Sequence, residues 1–157
     1  MQKLLSVLSR TLGMISVLSL TFLCRFALAG DLHSPVGLWE TIDDETGKVK
    51  SHVRIYAENG VLTGKIEALL NRKPGDENPL CTACEGARKD QPMLGMQVIW
   101  GMTADGDEFS GGRILDPAKG SEYKCSFKVI EEGKRLKVRG YIGFSLFGRS
   151  QTWNRIE

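Results

Sequence analysis

The sequence predicts an all-β domain of about eight antiparallel strands, an up-and-down meander closed into a barrel. Three observations carry this. Apolar and polar residues alternate with period two along most of the chain beyond residue 35, as in strands with one face in a core and one in water. Hairpin signals separate the runs at short spacings, so consecutive strands pair. Gly37-Leu38-Trp39 near the start is answered at the far end by Trp153-Asn154-Arg155, which suits first and last strands that meet. Closure removes the exposed edges an open sheet would leave. A two-sheet sandwich is the alternative.

Residues 1–29 read as a secretory signal and stand outside this domain. Lys3 and Arg10 make a basic start, an apolar run extends from Leu12 to Leu23, and Ala27-Leu28-Ala29 is a small-x-small cleavage pattern before Gly30. The run is short for a membrane span and Arg25 soon follows it. Lipidation at Cys24 would want a small residue before it, and Leu23 is there. The expected mature chain, 30–157, is therefore a single domain, periplasmic or secreted, with no transmembrane segment. Lys3, Arg10 and Arg25 leave with the signal and no acid does. That leaves 18 of the 21 basic residues against 19 acidic ones, a net charge of −1. Nothing in that balance attracts nucleic acid or an anionic membrane in general.

The strands can be placed in order. The first, over 36–43, carries Trp39 and ends at Glu45-Thr46-Gly47. The second, 50–57, alternates Val53, Ile55 and Ala57 with His52, Arg54 and Tyr56. Asn59-Gly60 turns the chain into the third, 61–70, with Leu62, Gly64 and Ile66 on one face. The fourth, 95–102, sets Met96, Val98, Trp100 and Met102 on one face. Asp105-Gly106 precedes the fifth, 107–115, and Asp116-Pro117 with Gly120 precedes the sixth, 120–130. There Tyr123, Cys125, Phe127 and Val129 alternate with Lys124, Ser126 and Lys128. Glu131-Glu132-Gly133 leads to the seventh, 134–142, with Leu136 and Val138, and the eighth covers 149–156. No repeat or long helical period appears. Residues 71–94 break the rhythm with three prolines and Cys81-Thr82-Ala83-Cys84. A loop this long is often a lid or a binding loop, and it is expected near the barrel mouth.

The two ends of the chain then acquire a role. A Trp on the first strand can plug the narrow end of a small barrel, and a guanidinium from the last can stack on it and bond nearby carbonyls. Barrels of the lipocalin, or calycin, type close this way, so Gly37, Trp39 and Arg155 are the expected closure residues.

Three cysteines remain in the mature chain: Cys81, Cys84 and Cys125. The Cys-x-x-Cys pair reads as a redox pair, half a zinc site or a structural bridge. Redox chemistry wants a helix N-terminus in a βαβ unit. Zinc wants four ligands, and only Cys125, His33 and His52 are left to supply them. A Pro/Gly-rich loop in an exported β protein favours a disulfide between Cys81 and Cys84. Cys125 then reads as a buried thiol, with a bridge from it to either loop cysteine left open.

The inward set of the strands is Val53, Ile55, Ile66, Met96, Val98, Trp100, Tyr123, Phe127 and Val138. It lines either a filled core or a pocket for one small apolar molecule, since an eight-stranded barrel accommodates both. The apolar stretch Gly143-Phe144-Ser145-Leu146-Phe147-Gly148 falls at a hairpin tip. It reads first as a loop folded over the barrel end, and otherwise as a face for a ligand, partner or membrane. Lys124, Lys128, Lys134, Arg135, Lys137 and Arg139 read as a solvated outer face. Asp43, Asp44 and Glu45 are merely adjacent in a turn. No catalytic, metal or cofactor motif is present.

With these residues placed, the chain resembles a bacterial family of exported proteins, the domain of unknown function 2147, from about Pro35 to Arg155. The resemblance rests on Pro35-Val36-Gly37-Leu38-Trp39, Cys81-x-x-Cys84 with Pro92-Met93-Leu94-Gly95, and Gly111-Gly112-Arg113-Ile114-Leu115-Asp116-Pro117. It continues through Tyr123-Lys124-Cys125, Arg139-Gly140-Tyr141-Ile142-Gly143 and Leu146-Phe147-Gly148-Arg149 to Trp153-x-Arg155. It implies a lipocalin-like barrel and, by fold analogy alone, a small hydrophobic or amphipathic ligand. The expectation is a non-enzymatic binding barrel, with an envelope interaction module as the alternative. A thiol redox protein using Cys81 and Cys84 is a third, minor one.

Overall fold

A computed structural model describes residues 32–157. The signal segment, its cleavage at Gly30 and Cys24 lie outside the described residues. The eight strands are β1 (Gly37–Ile42), β2 (Val49–Glu58), β3 (Val61–Leu69), β4 (Gln97–Asp105), β5 (Glu108–Asp116), β6 (Ser121–Ile130), β7 (Arg135–Tyr141) and β8 (Gly148–Arg155). Each pairs antiparallel with its sequence neighbours, and β8 returns to β1, so the sheet is a closed up-and-down barrel. Among the described residues the only helical element is a 3-10 turn at Gly86–Arg88, and no helix is long and apolar enough to cross a membrane.

Local chemistry sets the turns. Asn59 and Gly60 both have positive φ, at 52° and 79°, which a two-residue hairpin turn requires. In the β1–β2 turn the Asp43 carboxylate accepts from the Thr46 hydroxyl and from the Thr46 and Glu45 amides, at 2.8, 2.8 and 3.2 Å. These donors, the Thr46 hydroxyl foremost, hold the Asp43 carboxyl below its ordinary pKa.

The topology gives the barrel two ends. The base gathers the start of β1, the end of β8 and the β2–β3, β4–β5 and β6–β7 turns. The mouth gathers the β1–β2, β5–β6 and β7–β8 turns and the segment 70–96. The core runs between them. Trp39, Ile55, Ile99, Met102, Cys125 and Leu136 are all at 0% exposure, with Val53, Ile66, Phe127, Val138 and Trp153 nearly as deep.

One strand departs from simple alternation. From Gly64 to Lys65 is one step on β3, but their partners Ile99 and Gln97 are two apart. From Leu62 to Gly64 is two steps, but Met102 and Ile99 are three apart. β4 therefore carries two bulges, the second around Gly101, and each extra residue flips the inward-outward parity of the strand beyond it. Ile99, facing Gly64 and Ile114, points into the barrel. Trp100, expected on the inner face, instead joins the outer row Trp100–Arg113–Lys124–Tyr141 formed by successive cross-strand pairs.

Candidate functional site

The base is sealed. Trp39 pairs with Arg155 across the β1–β8 seam, and the guanidinium carbon lies 4.2 Å from the ring centroid. Trp39 Nε1 donates to the Pro35 carbonyl at 2.8 Å. Arg155 donates to the carbonyls of Ser34 at 2.6 Å, Val36 at 2.9 Å and Gly133. Burial lowers its pKa, and the ring face and three carbonyls replace the lost water. Gly37 belongs to the same knot. At φ 149° its added Cβ would lie 2.3 Å from the Glu157 carbonyl oxygen and 2.6 Å from Arg155 Nη1. A concavity of about 610 Å³ lies outside this seal, lined in part by Leu32, Val36, Lys134 and Ile156.

Seven of the residues expected to line a pocket are buried: Val53, Ile55, Ile66, Met96, Val98, Phe127 and Val138. Tyr123 is half-buried beside Gly140. Phe127 stacks on Phe109 at 5.7 Å. Trp100 leaves this set because the β4 bulges turn it outward. Its ring lies under the guanidinium of Arg88, 4.3 Å away, and Arg88 also bonds Glu122 at 2.7 Å.

That stacking shows where the long segment goes. It is packed down at the mouth rather than standing as a free flap. Cys81, Cys84 and Met96 are buried in the barrel's core cluster, Met93 packs against it, and Arg88 reaches over the outer wall to Trp100 on β4 and Glu122 on β6. Leu80 bridges to Pro92, and the Cys81 and Asp90 region is closed by amide bonds to the Gln91 and Cys81 carbonyls at 2.8 and 3.1 Å. Cys81 and Cys84 are bonded to each other, with a Cα–Cα separation of 5.3 Å. Cys81 Sγ rests 3.1 Å from the Pro117 carbonyl oxygen. Gly120 meets the loop so closely that a Cβ there would overlap the Ala83 carbonyl. Cys125 is a free, buried thiol in the barrel wall, and burial pushes its pKa up to about 12. Among the described residues no three metal-ligating side chains converge.

The mouth carries what the interior does not, an exposed apolar surface. The β7–β8 tip does not fold over the barrel end. Ile142, Phe144, Leu146 and Phe147 are 70, 79, 85 and 75% exposed. Arg139 holds the tip out, donating from Nε to the Ser145 carbonyl at 2.8 Å and from Nη2 to the Leu146 carbonyl at 3.4 Å. Lys124 Nζ reaches the Gly143 carbonyl at 3.3 Å. Beside it on the outer wall is a notch of about 270 Å³, lined by Gly111, Gly112, Arg113, Lys124 and Tyr141. The sequence marked the tip as apolar and Lys124 and Arg139 as a solvated face. It held no sign that the two adjoin.

The family described as an uncharacterized protein conserved in bacteria, DUF2147, matches residues 37–155. The chain belongs to the DUF2147 family. No curated protein matches it in sequence. Among solved structures, the DUF2147 barrel is similar to protein HP1028 from the human pathogen Helicobacter pylori, described as belonging to the lipocalin family. The TM-score is 0.68, over 79% of this chain and 84% of that one, at 14% identity. At that identity the likeness speaks for the fold, a lipocalin-like barrel. The matched span of the family, 37–155, runs from the closure glycine to the closure arginine.

Proposed function

We propose that this DUF2147 protein is an exported, non-catalytic binding module that engages an apolar or amphipathic partner through its mouth-end surface. One contrast carries the reading. Seven of the nine side chains expected to line a lumenal site are buried, while four large apolar side chains of the β7–β8 tip stand in solvent. Monomeric soluble proteins seldom leave such a contiguous patch without a use for it.

The test is a titration with anilinonaphthalene sulfonate, an apolar dye that brightens on leaving water. It compares wild type with a Phe144→Ser/Phe147→Ser variant of equal melting temperature. Loss of the dye signal in the variant supports the mouth-end site. An unchanged signal would move the site elsewhere and overturn it.

A second reading, a carrier with its ligand inside the barrel, is favoured by the lipocalin-like fold. Met96 and Met102 in the core add to it, because their unbranched side chains repack readily around a guest. Both readings assume export, which rests on the signal pattern. N-terminal sequencing of the processed chain should begin at Gly30. A modified Cys24 at the N-terminus would make the protein membrane-anchored instead.

A further inference from the structure

We infer that the β7–β8 tip seats the barrel on an anionic lipid surface, with lipid phosphates taken by the notch of Arg113, Lys124 and Tyr141. This deepens the mouth-end reading and rests on it. Three features of the tip favour a bilayer over other apolar partners.

The first is the backbone. A segment entering lipid must leave no carbonyl without a donor, because the bilayer supplies none. All five carbonyls of residues 143–147 already have one. Gly143 accepts from Lys124, Phe144 from the Phe147 amide, Ser145 and Leu146 from Arg139, and Phe147 from the Ile142 amide. The turn therefore presents Phe144, Leu146 and Phe147 outward with its carbonyls capped, and Ser145 is the one polar side chain among them.

The second is charge. From Arg139 to Arg149 there is no acidic residue. Arg139 and Lys124 stand at the base of the tip and bond carbonyls and the Ser150 hydroxyl. Among the described residues neither makes an ion pair with a carboxylate. Arg149 meets Asp44 at 2.6 Å, and Arg113 faces Glu122 at 4.0 Å. An apolar tip with a cationic collar matches the headgroup boundary of an anionic bilayer, with apolar groups below and cations level with the phosphates.

The third is the notch. Two cations and a phenol line it, and its two glycines contribute no side chain that would fill it. No acid lines it. A phosphodiester offers the acceptor oxygens that this set needs. Lys124 belongs to both the notch and the collar, so a phosphate held there lies beside the inserted tip.

The test is sedimentation of the processed chain, as recovered from cells, with phosphatidylcholine vesicles with and without phosphatidylglycerol. Wild type should co-sediment with the anionic vesicles at low ionic strength and be released by salt. Phe144→Ser/Leu146→Ser/Phe147→Ser should weaken this by roughly tenfold or more. Arg113→Gln/Lys124→Gln should weaken it severalfold and flatten the salt dependence. Both variants should keep the wild-type melting temperature. Wild type left in the supernatant with anionic vesicles overturns the inference, as does a tip variant that sediments like wild type. If wild type ignores vesicles but dye binding still depends on Phe144 and Phe147, the lipid inference alone falls. If dye binding is indifferent to the tip, the mouth-end reading falls with it.

Discussion

The guanidinium of Arg155 covers the ring of Trp39, and the two residues face each other where the last strand meets the first. Each does a different job in that contact. Trp39 fills volume at the base, while Arg155 ties the N-terminal segment and the β6–β7 turn to the seam through the Ser34, Val36 and Gly133 carbonyls.

Removing the volume should therefore cost more than removing the ties. Trp39→Ala should lower stability by about 3–5 kcal/mol through the cavity it leaves. Arg155→Ala should cost less, about 1–3 kcal/mol, from lost stacking and unpaired carbonyls. Denaturant unfolding measures both. A midpoint that barely moves in Trp39→Ala would contradict the plug.

Gly37→Ala tests the same knot from the backbone side. The new methyl would collide with the Glu157 carbonyl and Arg155 Nη1, and the φ of 149° disfavours any Cβ. A loss of about 1–3 kcal/mol is expected. Gly47→Ala, with open space around it, should suffer only from its positive φ and serves as the comparison.

Cys125 should make stability fall at alkaline pH. Its folded pKa is raised by burial from about 9 to about 12. Between those values the unfolded thiol ionises and the folded one does not, so the unfolded state binds fewer protons and gains. Its contribution is full below pH 9 and lost as pH rises toward 12. The measurement is the difference in slope between wild type and Cys125→Ala, which isolates the thiol. Parallel slopes would refute it. The native thiol should also resist iodoacetamide until denaturant is added.

Arg88→Ala should loosen the long loop rather than the barrel. The guanidinium stacks on Trp100 and pairs with Glu122 on a part-exposed face, so the global cost should be about 1 kcal/mol or less. Proteolytic cleavage within residues 71–94 should quicken, and Trp100 emission should shift. Gly120→Ala should produce the same pair of changes from the opposite surface, by pushing Ala83 away.

Much of this architecture was legible because it is written locally. Asn59-Gly60 dictates a hairpin wherever it falls between alternating runs, and the apolar sets of β2, β6 and β7 point inward as their period requires. Trp100 was not legible. Two bulges in β4 each add one residue, and a bulge leaves the composition of a strand almost unchanged, so parity carried across it misplaces the ring. The tip shows the same limit. Phe144 and Phe147 announce themselves as apolar, but whether they fold inward depends on Arg139 reaching the Ser145 and Leu146 carbonyls, a contact of tertiary structure. The stacking of Arg88 on Trp100 likewise joins a loop to a wall that only the closed barrel brings near.

The shortest ladder in the barrel is the one that closes it. β1 and β8 share two residue pairs, Trp39 with Arg155 and Glu40 with Asn154, against seven between β7 and β8. Toward the mouth the two strands part, and Asp44 spans the gap with side-chain bonds to Arg149 and Gln151. The ring is thus a belt with a buckle. Its fluctuations should begin by unzipping from the mouth side of that buckle, with the Trp39–Arg155 clasp giving way last. Amide exchange would record this as fast protons along the mouth half of β8 beside slow ones in β2 and β3.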